Sequence, residues 1–193
     1  MKTFRRIALA LVLSFTMLAV NAQSYQKVAA HYATVKGATA KVTLVQHKSA
    51  LKTAKTATGT AVMSRPDKVS ISVNGGKDQL IMDGTTFTMV SRGHKRTTDS
   101  RKNAQFATFH QVFVNLLSGG HSGGNIDNLP GVSIKNEGQT MAITVVPTKA
   151  KHMMFSSFVL ILDSRTSALR SLRMNQKGSN YLEYLFTDFT WKK

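Results

Sequence analysis

Apolar residues recur at every second position in one short segment after another between Ala38 and Trp191, and this constrains the fold more than any other feature. Alternation with period two puts successive side chains on opposite faces of a strand, so each segment reads as half-buried sheet. Ala38, Ala40, Val42 and Leu44 alternate with Thr39, Lys41, Thr43 and Val45. Residues 47–57 are polar and rich in Lys and Thr, which predicts a loop. Gly59, Ala61 and Met63 begin a second strand that Pro66 ends, and Val69, Ile71 and Val73 form a third, closed by the turn Asn74-Gly75-Gly76. Leu80-Ile81-Met82 and Phe87-Thr88-Met89-Val90 flank Asp83-Gly84, a strong hairpin signal. The alternation returns at Met141, Ile143 and Val145, at Phe158, Leu160 and Leu162, from Leu169 to Met174, and from Tyr181 to Trp191.

Two segments break the pattern. Ser24 is placed to cap a short helix with Tyr25, Val28, Ala29 and Tyr32 on one face. Phe106, Phe109, Val112, Phe113, Leu116 and Leu117 follow helical spacing and form a bulky aromatic face, which Gly119 and Gly120 stop. The expected class is therefore mainly β with a minor helical part (α+β). A long antiparallel sheet with one apolar face has to cover that face, and two helices are few for the task. Either the sheet curls on itself or the helices form a partial lid over a hollow. The chain has nine methionines, whose flexible thioethers suit the lining of such a hollow as well as they suit ordinary core.

At the N-terminus, Lys2, Arg5 and Arg6 precede an apolar run from Ile7 to Val20, and Val20-Asn21-Ala22 supplies a small-x-small cleavage pattern. Residues 1–22 are expected to be a cleaved secretory signal, with one working domain over residues 23–193. The run is too short to span a bilayer comfortably. The chain holds no cysteine, so neither a disulfide framework nor a lipidated cysteine is available, and the domain must rely on its core. The formal charge is +17, three of the cations lying in the leader. Such a field favours anionic partners. Nucleic acid is not expected, because no dense Lys/Arg cluster with interleaved aromatics is present and the leader predicts export.

No constellation for catalysis stands out. Gly120-His121-Ser122-Gly123-Gly124 matches G-x-S-x-G, but a nucleophile elbow needs a strand before the serine and a helix after it, and here a helix precedes. The six histidines are scattered, with none at the spacing of a metal site, and the acids form no catalytic pair. A binding protein is expected rather than an enzyme, with no metal and no cofactor. Arg65-Pro66 ends the second strand at a turn, and a guanidinium with five donors there can bridge several carbonyls.

An ordered set of motifs resembles a known family. The run from Val35 to Val42, continuing through Gln46-His47-Lys48, is similar to that family's first strand. Gly59 to Val69 resembles its G-x-h-x-h-x-[KR]-P-x-x-h segment, and Leu80 to Phe87 its h-h-x-D-G-x-x-h hairpin. Val146-Pro147-Thr148-Lys149 is similar to its L-x-P-K, and Phe158 to Asp163 to its long strand ending in an acid. The family is that of periplasmic outer-membrane lipoprotein carriers of the LolA type, in the short form of Bacteroidetes. The resemblance covers about residues 24–189.

The resemblance implies a curved antiparallel sheet forming an incomplete β-barrel, with short helices as a lid. It implies a monomeric periplasmic carrier of lipoprotein acyl chains, moving between an inner-membrane release transporter and an outer-membrane acceptor. Arg65 matches the arginine that closes the lid by hydrogen bonds. Candidates to line the lipid cavity are Val42, Leu44, Met63, Val69, Ile71, Leu80, Met82, Phe87 and Met89, with Phe109 and Phe113 of the helix. Which face of each strand turns inward stays open, since a one-residue register slip exchanges the faces. An alternative is a periplasmic adaptor or sensor that binds an anionic glycolipid or an envelope protein through its basic surface.

Overall fold

The computed structural model describes residues 24–193 apart from 52, 123 and 149–152, so the leader expected over residues 1–22 lies outside the described residues. Eleven strands make one sheet: β1 (Gly37–His47), β2 (Lys55–Ser64), β3 (Lys68–Val73), β4 (Asp78–Asp83), β5 (Thr86–Ser91), β6 (His94–Asp99), β7 (Val132–Glu137), β8 (Thr140–Val145), β9 (Phe155–Asp163), β10 (Leu169–Gln176) and β11 (Tyr181–Lys192). Their spatial order is β6-β5-β4-β3-β2-β1-β11-β10-β9-β8-β7. Each neighbouring pair is antiparallel. Two meanders are thus joined where the first strand pairs with the last, Val42 opposite Phe186 and Leu44 opposite Tyr184.

Two strands carry almost no period-two signal. The sequence of β6, HKRTTD, has no apolar residue, and that of β7, VSIKNE, has only Val132 and Ile134. Both are edge strands, paired on one side only. They sit at the rim, where less apolar surface is available to bury, and charge on an edge discourages pairing with other chains. The loop expected over residues 47–57 is shorter than its composition implied. Lys55 already pairs with Gln46, so β2 begins there despite its polar start.

The register settles which faces turn inward. Ala38, Ala40, Val42 and Leu44 of β1 share the buried face with Ala61 and Met63 of β2, Val69, Ile71 and Val73 of β3, and Leu80 and Met82 of β4. On the other meander, Leu160 lies between Ile143 and Leu172, and Leu172 lies beside Tyr184, all buried. Each apolar side chain of this size taken out of water contributes about 1.5–3 kcal/mol.

Two helices cover that face. The described part of α1 runs over residues 24–33, where Ser24 is already helical rather than a cap ahead of the helix. Tyr25, Val28, Ala29 and Tyr32 are buried as their spacing requires. Helix α2 (Ala104–Leu117) starts at Asn103, whose side chain accepts from Gln105 N at 3.1 Å. It ends before Gly119 and Gly120, both at positive φ. Because α2 lies between β6 and β7 in sequence, it carries the chain from one edge of the sheet to the other.

The aromatic face of α2 measures how far the sheet is rolled. Phe106 stacks on Phe87 of β5 at 4.3 Å and meets Phe158 of β9 at 5.9 Å. Those strands are seven steps apart in the sheet order, roughly 34 Å if the sheet were flat. One phenylalanine touches both, so the sheet curls around the helix. The edges β6 and β7 do not pair, which leaves an incomplete barrel with α2 in its opening.

Candidate functional site

At one end of the barrel one side chain bonds the ends of both helices, beside His31 and Tyr32 of α1 packed on Trp191 of β11 at 4.6 and 4.9 Å. Arg65 follows β2, and its backbone N–H donates to the carbonyl of Lys36 at 3.1 Å, holding it beside the start of β1. Its Nη1 donates to the carbonyl of Ala33, the last residue of α1, at 2.7 Å. Its Nη2 reaches the carbonyl of Ser118, the C-cap of α2, at 3.5 Å. The guanidinium therefore sits at the C-terminal ends of both helices, where unsatisfied carbonyls concentrate and the helix dipoles are negative. Arg65 is exposed. A bond from a charged donor contributes about 1.5–3 kcal/mol net when sheltered, and less here, where the side chain is exposed and water competes for both. The tie is specific in geometry and weak in energy.

At the other end of β1 the barrel is hollow. A cavity of about 700 Å³ opens beside Leu44, Gln46 and Lys48. Strands β5 and β6 supply Phe87, Met89, Arg96 and Thr98; the first turn of α2 supplies Gln105 and Phe106; β9 and β11 supply Phe155, Leu182 and Tyr184. Ligand sites usually occupy about 300–1,000 Å³, with mostly apolar walls and a few directed polar groups. The wall facing α2 is held in place by Gln105, whose Oε1 accepts from the backbone N–H groups of Met154, at 2.5 Å, and Phe155, at 3.2 Å. The first turn of the helix is thus pinned to the start of β9 and frames the opening.

The exposed wall surface is mainly apolar, yet polar and charged side chains ring the opening in number, Gln46, His94, Thr97, Asn103 and Gln176 among them. Asp78 is nearly buried; its Oδ1 accepts from Arg92 N at 2.9 Å and its Oδ2 from Asn74 Nδ2 at 3.1 Å. Burial, with the Asp78 charge adding, pushes the Tyr184 phenol well above its ordinary value, so the hydroxyl stays protonated. Lys48, Arg92 and Arg96 also line the cavity.

The structure distributes the sequence candidates between this cavity and the packed interior. Arg65 stands at the helix ends. Leu44, Phe87 and Met89 line the cavity. Val42, Met63, Val69, Ile71, Leu80, Met82, Phe109 and Phe113 are buried in the same apolar cluster but form none of its walls. Alternation identifies a face and not a position along it, so filled and hollow stretches of that face look alike in sequence. Of the cationic wall residues, Lys48 enters the sequence reading only as the end of a first-strand motif, and Arg92 carries no motif at all. Beyond that, their only sequence signal is basic residues at the ends of strands, which is also the signature of ordinary solvated turns.

Ser122 lies in the loop after α2, where its backbone N–H donates to Ser118 Oγ and its carbonyl accepts from Asn115 Nδ2. Gly123 of that motif and Lys149 of the L-x-P-K-like motif lie outside the described residues. Among the described residues no group of three or more His, Cys, Asp or Glu side chains converges on a point, and no helix is long and apolar enough to cross a membrane.

No family model matches the chain, and no curated protein matches it. Solved structures align over most of its length. A LolA superfamily protein from Nitrosomonas europaea aligns with 90% of this chain and 94% of its own, at 6% identity and a TM-score of 0.39. LprF from Mycobacterium bovis aligns with 89% and 93%, at 10% identity and a TM-score of 0.36. The MucA/MucB complex of Pseudomonas aeruginosa contains a chain aligned with 90% of this one and 57% of its own, at 11% identity and a TM-score of 0.40. At scores this low the chemistry of the site has to be read from its own residues.

Proposed function

We propose that this chain is a periplasmic carrier of acyl chains and not an enzyme, taking a lipid or the lipid part of a lipoprotein from the inner membrane and delivering it to the outer. The observation that carries the reading is the pairing of a cavity at one end of an incomplete barrel with covering helices whose C-terminal ends share one exposed hydrogen-bonding residue, Arg65, at the other. Each methylene buried in such a cavity contributes about 0.8 kcal/mol. An entering chain must re-cover the apolar surface that the helices give up; where it does so, the Arg65 bonds are what is lost outright, a few methylenes outweigh them, and the cover can reclose on release. The ordered motifs of the sequence support the same reading, including its assignment to the short form of the carrier family.

Native mass spectrometry of the exported protein, followed by transfer between donor and acceptor vesicles, tests it. The expected result is co-purifying acyl lipid, and movement of labelled lipoprotein from inner-membrane to outer-membrane vesicles only when the protein is present. A clean unliganded mass together with no uptake of a fluorescent fatty acid would overturn it.

A further inference from the structure

We propose that the cavity is built for an amphiphile with an anionic headgroup, a carboxylate or phosphate, whose tail lies among the apolar walls and whose head meets Arg92, Arg96 and Lys48 at the mouth. This rests on the acyl-chain reading above and adds the chemical class of the headgroup.

The register of the edge strand supplies the first observation. Met89 pairs with Arg96, Phe87 with Thr98 and Ser91 with His94. The residues of β6 that share the inner face with Phe87 and Met89 are therefore polar or cationic, and the apolar wall ends in a charged rim. A cation in that position needs an anion or water to face.

The second observation is that no protein anion serves. Five ion pairs are formed among the described residues, and none includes Lys48, Arg92 or Arg96. Asp78 is the one acid on the cavity wall, and its two oxygens are engaged by Arg92 N and Asn74 Nδ2. Three cations, exposed at the opening, thus line the cavity against one carboxylate that bonds the Arg92 backbone N–H and Asn74 and none of their side chains. Arg101, by contrast, is paired with Asp99 at 2.7 Å and lines no part of the cavity.

An inward charge on an edge strand also discourages edge-to-edge pairing. That accounts for Arg96 alone. Arg92 belongs to the turn after β5, and Lys48 follows β1, five places away from β6 in the sheet order. Cations from separate elements meet at one opening, which edge protection does not require. A guanidinium fork matches a carboxylate or phosphate with two parallel hydrogen bonds, and the low-dielectric wall behind it strengthens the attraction.

The test is displacement of N-phenyl-1-naphthylamine, a neutral apolar probe, from the purified protein by dodecanol, dodecanoate, dodecyl phosphate and inorganic phosphate. Dodecanoate and dodecyl phosphate should displace it at concentrations at least tenfold below dodecanol, and inorganic phosphate should neither displace it nor compete with dodecyl phosphate. In an Arg92→Gln/Arg96→Gln double variant the anionic compounds should fall to the level of dodecanol, with dodecanol itself unchanged. Arg101→Gln, which removes the same charge away from the cavity, should keep the preference. If that double variant is poorly folded, raising the salt concentration on the unaltered protein should narrow the gap between dodecanoate and dodecanol. Equal displacement by dodecanol and dodecanoate would overturn the headgroup assignment while leaving the acyl-chain reading intact. Competition by inorganic phosphate would make this a free-anion site and overturn it likewise. Failure of the probe and of all three dodecyl compounds to bind would overturn both readings.

Discussion

Tyr25 donates its hydroxyl to Oδ1 of Asn115 at 2.5 Å, joining α1 to α2 across ninety positions of sequence. Both residues are buried. Asn115 Nδ2 donates in turn to the carbonyls of Ser122 and Gly124, so one amide ties both helices and the loop that follows α2. Burial, with the Asp127 charge adding, raises the Tyr25 phenol well above its ordinary value, which keeps it a donor.

Replacing Asn115 by Leu leaves the Tyr25 hydroxyl and two carbonyls without their partner. The buried Tyr25 hydroxyl left unsatisfied costs about 1–3 kcal/mol, and the carbonyls of Ser122 and Gly124, nearer solvent, add less, so a total loss of about 2–4 kcal/mol is expected. Tyr25→Phe removes one donor only and should cost less. Urea unfolding followed by circular dichroism gives both values, and equal losses would contradict the central place of Asn115.

Arg65→Leu should lower global stability by no more than about 1–2 kcal/mol, because the guanidinium is exposed, although its bond to Ser118 is partly buried. The effect belongs in local opening. Hydrogen exchange over residues 24–33 should quicken severalfold, and bound lipid should be released more slowly because reclosure no longer opposes it. Arg65→Lys keeps the charge at the helix ends without the fork and should fall between the two. Unchanged exchange and release in the Leu variant would remove the tie from the mechanism.

Gly119 separates backbone strain from close contact. It has φ +82, and a Cβ there would lie 2.5 Å from Ala33 Cβ and 2.9 Å from Ala33 Cα. Gly93 has φ +83 with nothing within 4 Å. Gly93→Ala should cost about 1 kcal/mol, from the backbone conformation alone. Gly119→Ala carries the same strain and must also push α1 away from α2, so it should cost clearly more and loosen α1 in hydrogen exchange.

Asp163 sets an acid limit on stability. Its Oδ2 accepts from Arg170 at 2.6 Å, and its Oδ1 accepts from the backbone N–H groups of Arg165 and Thr166. The Arg170 bond first, then those turn N–H groups, holds its carboxyl far below the usual range. As pH falls, the unfolded chain takes up this proton first. The contribution of Asp163 is therefore complete above its unfolded pKa of about 3.9 and is lost as pH falls through the lower folded value. The stability gap between the unaltered protein and Asp163→Ala should be constant near neutral pH and shrink below pH 4, as read from urea midpoints at stepped pH. A gap that grew on acidification would contradict the assignment.

Much of the architecture was legible in the residues. The strands that carry the core alternate visibly, because a strand buried on one face must repeat every second position. Helix α2 was legible from its phenylalanine spacing, and α1 from Tyr25, Val28, Ala29 and Tyr32. Strands β6 and β7 were not, because an edge strand is held by backbone pairing on one side and needs few apolar residues.

The local pattern of this sequence determined that the chain is a β meander with two amphipathic helices, since strand and helix periods depend only on near neighbours. Tertiary structure decided the rest. The pairing of β1 with β11 chose which face turns inward, and the roll of the sheet decided which part of that face is packed by α2 and which part stays hollow. Lys48, Arg92 and Arg96 line one cavity only because strands far apart in order curl around the same helix. Convergence of this kind depends on closure of the whole sheet, and no window of sequence contains it.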